Sequence, residues 1–318
     1  MKALRVNNNR VAVEDISRPE AEGECLVRVE LSGICNTDLE IVRGYAGFNG
    51  TIGHEFVGVV ETCDSHPEMV GKRVVGEINA GCGKCDRCMA GDSRHCPART
   101  VLGIHGRDGA HAEFLRLPAS NLVAVPRTVS DIEAVFAEPL AAAYGIGEQV
   151  AIGAETRVAV VGDGKLGLLC AMTAALLTKE IVLIGKHPEK MSIAENVGIE
   201  TVQLENANPL AKSFDVVIEA SGSESGFATA LDLVKPRGKI VLKSTFQGTP
   251  TWDAARVVID EISIVGSRCG RLAPAVELLA SKKLNVEDLV SDEFNLADGV
   301  AGLEHAGRRG VLKVLLRP

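Results

Sequence analysis

The spacing of apolar residues changes near residue 129. Across the first 125 residues they fall in short runs broken by Gly and Pro: LVRVELSG, FVGVVET, KRVVGEI and AEFLRLP. Short runs of β-branched and apolar residues bounded by turn residues predict an irregular antiparallel β domain. From Val129 onward the texture differs. DIEAVFAEPLAAAYGIGEQV is Ala-rich and has helical spacing. Strands then alternate with helices: RVAVVGDG, a helix through Lys165–Thr178, EIVLIG, a helix through Glu189–Val197, and FDVVIEASG. A helix through Gly226–Val234, GKIVLKS and EISIVGS follow. Continuous apolar strands alternating with helices predict an α/β fold, a parallel sheet covered on both faces. After Gly270 the pattern is mixed, and a last strand, VLKVLL, is expected to return to the first domain. No internal repeat or low-complexity segment is present.

Composition narrows the class. A chain of 318 residues with 46% hydrophobic content supports a large core and about two domains. The net charge of −8 and the absence of a basic block argue against nucleic-acid or anionic-membrane binding. Aromatics at 3% leave no stacking platform for single strands. The N-terminus has no signal-peptide pattern, and no apolar run reaches the roughly 18 residues needed to span a bilayer. A soluble cytoplasmic protein is expected. The nine cysteines then read as metal ligands and free thiols rather than disulfides.

Four of those cysteines lie close together: Cys82, Cys85, Cys88 and Cys96, in the run GCGKCDRCMAGDSRHC. Four thiolates on short loops suit a closed tetrahedral structural zinc site. An iron–sulfur motif also begins C-x2-C-x2-C and ends Cys-Pro, and Pro97 follows Cys96. The last gap here is seven residues, where that motif has three. A disulfide knot is the remaining alternative, but nothing points to an oxidising compartment.

Gly162, Gly164 and Gly167 form G-x-G-x-x-G with Asp163, Lys165 and Leu166. The motif follows the strand VAVV and opens the helix KLGLLCAMTAALL, as a dinucleotide fingerprint requires. Gly162 permits the tight turn, Gly164 the approach of a pyrophosphate, and Gly167 close helix–strand packing. The free N–H groups of the helix start then face the phosphates. The alternative is an ordinary strand–turn–helix joint. An NAD-specific site would place an acid about 20 residues on, at the end of the second strand. That strand ends in Gly185-Lys186-His187. The missing acid, with Lys186 and His187 able to donate to a 2′-phosphate, predicts NADP(H) over NAD(H). On this reading Gly185→Asp reverses or erases the preference. The alternative is a polar turn that accepts both cofactors.

A second set of metal ligands is scattered: Cys35, Thr37 and Asp38 in GICNTDLE, His54 and Glu55 in TIGHEFVG, Glu138 in AEPLAAAYG. Singly each has a bland reading as a small hydrophobe, a hydrogen-bonded core residue or a helix start. Together they offer a thiolate, an imidazole and a carboxylate, three ligands with a fourth position open. Pro139 at a first helical position would place Glu138 at a helix N-terminus, where carboxylates are favoured.

The order of these segments resembles the zinc-dependent medium-chain alcohol dehydrogenase family nearly end to end. The resemblance implies a GroES-like β domain, residues 1–143 and 268–318, carrying two zinc ions. It implies a Rossmann domain over residues 144–267 with the nicotinamide cofactor at its strand ends. Cys35, His54 and Glu138 would bind the catalytic zinc. A Glu as third ligand is similar to the polyol, sugar and threonine dehydrogenase branch. Thr37 would hydrogen-bond the substrate hydroxyl, and Asp38 would orient His54. Glu55 would lie behind the metal and exchange with Glu138. Glu40 stands where many members have a relay histidine; a proton route and a solvated helix face are equal readings. The expected reaction is reversible oxidation of a secondary alcohol, a polyol or sugar, by a homodimer or homotetramer. The alternatives are a catalytically silent NADP(H)-binding protein of the same fold and an iron–sulfur electron carrier.

Overall fold

The computed structural model describes residues 1–245 and 253–318. The chain divides into two units, Met1–Glu138 with Arg271–Pro318, and Pro139–Gly270. The sequence reading put these boundaries at 143/144 and 267/268.

The first unit is built on a sheet whose strands run in the order Leu122–Ala124, Arg73–Gly76, Glu55–Cys63, Cys25–Gly33, Lys313–Arg317, Val290–Asn295, with Phe114–Leu117 also paired to Cys25–Gly33. All these pairs are antiparallel except Val290–Asn295 with Lys313–Arg317. That parallel pair is joined through the helix Gly299–Ala306, which the mixed pattern after Gly270 did not reveal. The last strand, Lys313–Arg317, sets Leu315 opposite Gly33 and Leu316 opposite Ser32. Beneath lies a core of Leu4, Val6, Ile34, Ile41, Ile52, Val314 and Leu316. Ile34 and Ile52 are fully buried and anchor the chain just ahead of Cys35 and His54.

One expectation about the cysteines is corrected. Cys25 and Cys63 form a disulfide. They face each other in the register of strands Cys25–Gly33 and Glu55–Cys63. Their separation in sequence is 38, so only strand pairing reveals the contact.

The second unit is a parallel sheet. Its order is Glu200–Gln203, Ile181–Gly185, Val158–Val161, Phe214–Glu219, Val234–Leu242, Ser263–Gly266. Numbered along the chain this is 3-2-1-4-5-6, the doubly wound Rossmann order. The order reverses between Val158–Val161 and Phe214–Glu219, so the ligand crevice is expected outside their carboxyl ends. Near-continuous apolar sequence makes Val158–Val161 and Ile181–Gly185 buried throughout. The helices Lys165–Ala174, Pro188–Glu195 and Glu224–Leu233 fall within four residues of the spans read from sequence, the largest difference being Ala174 for Thr178. No helix among the described residues is long and apolar enough to cross a membrane.

Candidate active site and metal centres

The closed site is built by a loop. Cys82, Cys85, Cys88 and Cys96 hold their sulfurs within 4.8 Å of one another. A single helical turn, Asp86–Met89, carries Cys88, and Cys85 stands at its N-cap. The Cys82 N–H points at the Cys96 sulfur at 3.4 Å. Backbone N–H groups of Lys84 and then Cys85 face the Cys82 sulfur and bring its thiol down to about 6. Four soft donors converging with N–H support are the chemistry of a structural zinc site.

The open site forms at a helix start and a strand start. Cys35 is the N-cap of helix Asn36–Val42, and Asp38 at the third position accepts the Cys35 N–H at 2.8 Å. His54 immediately precedes strand Glu55–Cys63. Cys35, His54 and Glu55 each bring a ligand atom within 4.8 Å of the others. His54 Nδ1 faces Asp38 Oδ1 at 3.6 Å, which leaves Nε2 free to ligate. Burial opposes charge on His54, yet Asp38 and then Cys35 hold its pKa well above the ordinary value. Burial also disfavours the Asp38 carboxylate, but His54 and His111 keep it far below the usual range. One oxygen of Glu55 pairs with Lys313, and the other, Oε1, is buried without a hydrogen-bond partner. A thiol, an imidazole and an unpartnered buried carboxylate oxygen in one cluster fit a zinc ion.

Glu138 lies outside that three-residue cluster. Helix Ala137–Tyr144 begins one residue before it, so Glu138 is the second helical position and Pro139 the third. Enclosure by protein pushes its carboxyl up to about 7; His54 opposes this, while Glu55 and Glu77 add to it. Thr37 Oγ1 lies 3.7 Å from the Cys35 sulfur. Glu40 forms an ion pair with Arg43 at 2.7 Å on the helix surface.

In the second unit, Gly164 is the N-cap of helix Lys165–Ala174 and makes no side-chain cap hydrogen bond. Gly162 has φ 119°, and a Cβ there would lie 2.7 Å from the Ala220 carbonyl oxygen. A Cβ on Gly167 would lie 1.9 Å from the Gly162 carbonyl oxygen, so both turn positions require glycine. Around Gly164 there is open space.

Asp163, between those glycines, was not singled out by its sequence. Its Oδ2 accepts the N–H groups of Lys186 and His187, each at 2.6 Å, and His187 Nδ1 lies 3.1 Å away. A Cβ on Gly185 would sit 2.7 Å from that oxygen and 2.8 Å from Met191 Sδ. Gly185→Asp therefore tests packing rather than cofactor choice. The other residues missed are Lys313, which reaches the open site through strand pairing, and His111, which reaches it through the backbone bonds of residues 109–111 to Thr51, Ile52 and Gly53.

Residues 21–127 match the family model described as alcohol dehydrogenase GroES-like domain, and residues 166–281 match that described as zinc-binding dehydrogenase. The chain is 30% identical to a sorbitol dehydrogenase of Halalkalibacterium halodurans, covering 100% of this chain and 99% of that one. The chain belongs to the zinc-dependent medium-chain alcohol dehydrogenase family. Among solved structures of this family, a zinc-binding dehydrogenase from Sinorhizobium meliloti 1021 bound to NADP superposes with TM-score 0.90 at 28% identity, covering 100% of this chain and 99% of that one. An alcohol dehydrogenase from Escherichia coli CFT073 complexed with NADH superposes with TM-score 0.91 at 25% identity, covering 100% and 99%.

Proposed function

We propose that this family member is an NADP(H)-dependent oxidoreductase that interconverts a secondary alcohol, of the polyol or sugar class, and its carbonyl. The observation that carries the reading is the cluster of Cys35, His54 and Glu55 with an unpartnered buried Glu55 oxygen. Cys35 and His54 would hold the catalytic zinc, with Glu138 and Glu55 sharing the carboxylate position. Cys82, Cys85, Cys88 and Cys96 would hold a second, structural zinc. A bound zinc lowers the pKa of an alcohol hydroxyl.

The chain's own groups do the rest. Thr37, beside the Cys35 sulfur, would accept the hydrogen bond of the substrate hydroxyl and relay its proton, taking it up as its own hydroxyl proton passes to solvent. A nicotinamide cofactor, which the Gly162–Gly167 turn and the residues Lys186 and His187 would hold, would supply the acceptor for the hydride of the alcohol carbon. Asp38 holds His54 in one orientation. Glu40, paired with Arg43 at 2.7 Å, is read as a helix-face residue rather than as part of the proton's route. The N-terminus of helix Lys165–Ala174, with Gly164 as its N-cap, suits the pyrophosphate.

Of the two solved relatives, one holds NADP and the other NADH. The preference for NADP(H) is supported by this chain's own residues. Asp163 is spent on the N–H groups of Lys186 and His187 and faces the His187 ring at Nδ1. His187 Nε2 and the exposed Lys186 remain for a 2′-phosphate. The sugar or polyol class is supported by the acidic open site and by the sorbitol dehydrogenase relative.

A screen of polyols, aldoses and short alcohols with each cofactor tests the reading. Turnover of at least one polyol or aldose is expected. Cofactor binding without turnover of any alcohol would leave the catalytically silent alternative in its place. A brown protein with visible absorbance would replace zinc at the four-cysteine loop by an iron–sulfur cluster.

A further inference from the structure

Asp38 faces two imidazoles. Its Oδ1 accepts the Gly53 N–H at 3.2 Å and faces His54 Nδ1 at 3.6 Å. Its Oδ2 accepts the Cys35 N–H at 2.8 Å and faces His111 Nε2 at 3.5 Å. The two rings approach the carboxylate almost symmetrically, one on each oxygen. Neither His54 Nδ1 nor His111 Nε2 has a partner at full hydrogen-bond geometry; the Asp38 oxygen is the group that each faces. A buried polar atom of that kind is costly unless its facing group serves it.

The second imidazole is held firmly. His111 is fully buried. The N–H groups of Gly109, Ala110 and His111 donate to the carbonyls of Thr51, Gly53 and Ile52, which ties residues 109–111 to the segment leading into His54. The ring lies against Gly53, where a Cβ would stand 2.5 Å from its Cγ. On the far side, His111 Nδ1 is 2.9 Å from Ser32 Oγ. The Ser32 hydroxyl has one other acceptor, the Leu316 carbonyl, at the longer distance of 3.4 Å. With the hydroxyl donating to Nδ1, the neutral ring carries its proton on Nε2 and aims it at Asp38. The other tautomer would set a lone pair against a carboxylate.

We propose that His111 is a positioning residue for the cysteine–histidine site, its Nε2–H holding the Asp38 oxygen that also clamps the Cys35 backbone. Asp38 then cannot rotate to give both oxygens to His54. The orientation of His54 and the place of the Cys35 sulfur are fixed together. The inference rests on the reading of Cys35 and His54 as zinc ligands.

Zinc release tests it without reference to turnover. Zinc-loaded protein is challenged with excess chelator and the released metal is followed with a chromogenic chelator. Wild type should release zinc in two phases, and Cys35→Ser should lose the one belonging to the open site. His111→Asn, which keeps the bond to Ser32 but falls short of Asp38, should speed that phase about tenfold, as loss of an outer-shell partner does. The closed-site phase should stay as in wild type. His111→Gln, whose amide N–H reaches Asp38, should restore the slow rate. Should His111→Asn fail to fold, Ser32→Ala carries the test, because it frees Nδ1 and loosens the ring; it too should speed the open-site phase. Wild-type release rates in the variant that folds would overturn the proposal. So would equal acceleration by His111→Gln, which would make ring bulk rather than its donor the cause. A wild-type protein with the closed-site phase alone would overturn the ligand reading itself, and the proposal with it.

Discussion

Lys313 and Glu55 form an ion pair in the interior of the first unit, each side chain 1% exposed. They are brought together by the pairing of the last strand with Cys25–Gly33 and of that strand with Glu55–Cys63. Lys313 also reaches the Ile34 carbonyl at 3.4 Å and lies 5.5 Å from the centre of the Phe136 ring. It is the cation set against an acidic neighbourhood of Glu55 and Glu138. A buried pair adds little net stability, but removal of one partner strands a charge and costs about 3–5 kcal/mol. Lys313→Met should therefore lower the unfolding free energy by about 3 kcal/mol. The double variant Lys313→Met, Glu55→Gln should recover much of that loss, because no charge is left alone. Denaturant unfolding of the three proteins measures it, and a Lys313→Met protein as stable as wild type would sink the idea.

How much of this was legible in the sequence follows from locality. The four cysteines lie within one loop, and the glycine turn within one strand–helix joint, so spacing alone carries their chemistry. The doubly wound sheet is legible from its inner strands Val158–Val161 and Ile181–Gly185, which are apolar throughout, whereas the polar edge strand Glu200–Gln203 gave no such signal. Cys25–Cys63, Lys313–Glu55 and Asp38–His111 are different. Each depends on which strands or segments become neighbours, and no local spacing encodes that. Asp163 sits inside a recognised motif, yet its role appears only when the ends of two adjacent strands are brought level. Family resemblance placed Glu55 behind the metal, exchanging with Glu138; its position directly after His54 at a strand start puts its carboxylate in the cluster with Cys35 and His54. The helix Gly299–Ala306 was hidden by Gly299 and Gly302, which interrupt its pattern but admit Leu4 and Val13 at the first and Leu316 and Phe294 at the second.

Two zinc ions per chain, with separable roles, are expected from the two clusters. Cys85→Ser should lower stability, since structural zinc contributes folding free energy. Cys35→Ser should abolish turnover while NADP(H) still binds. Elemental analysis of protein purified without chelator should give two zinc ions; one or none would refute the two-site reading.

Glu138 is expected to act at the open site rather than as a simple helix start. Glu138→Ala should release the open-site zinc or cut kcat by about a hundredfold, the scale of a lost acid–base or ligand group. Circular dichroism should show the fold intact. Wild-type kinetics and zinc content would show that Glu55 alone supplies the carboxylate.

Asp163 gives the second unit an acid-sensitive joint. Partial burial raises its carboxyl, but His187 and the N–H groups of His187 and Lys186 hold it below the usual range. Its folded pKa is thus lower than its unfolded value of about 3.9. The stability it contributes is present above that unfolded value and is lost as pH falls through the folded one. Asp163→Asn should be less stable than wild type near neutrality, with the difference shrinking below about pH 4. Urea unfolding over a pH series checks the sign, and a gap that widens towards acid would contradict it.

Cofactor choice is the last prediction, and it needs substitutions other than Gly185→Asp. That side chain would collide with Asp163 and Met191, so a loss of NADP(H) activity would say nothing about the 2′-phosphate. Lys186 and His187 offer a cleaner route. Their backbone N–H groups hold the Asp163 carboxylate, so the turn keeps its shape when a side chain changes. The His187 ring turns Nδ1 to Asp163 and leaves Nε2 outward, and the Lys186 side chain is exposed. Each can give a charge-assisted hydrogen bond to a phosphate oxygen, worth about 1.5–3 kcal/mol. Lys186→Ala should then lower kcat/KM for NADP by about tenfold or more, and leave NAD within about threefold, since NAD presents only a hydroxyl there. Lys186→Ala together with His187→Gln should bring the two cofactors close to parity. Steady-state kinetics in which wild type uses NAD as well as or better than NADP would remove the preference, and with it the role given to this turn.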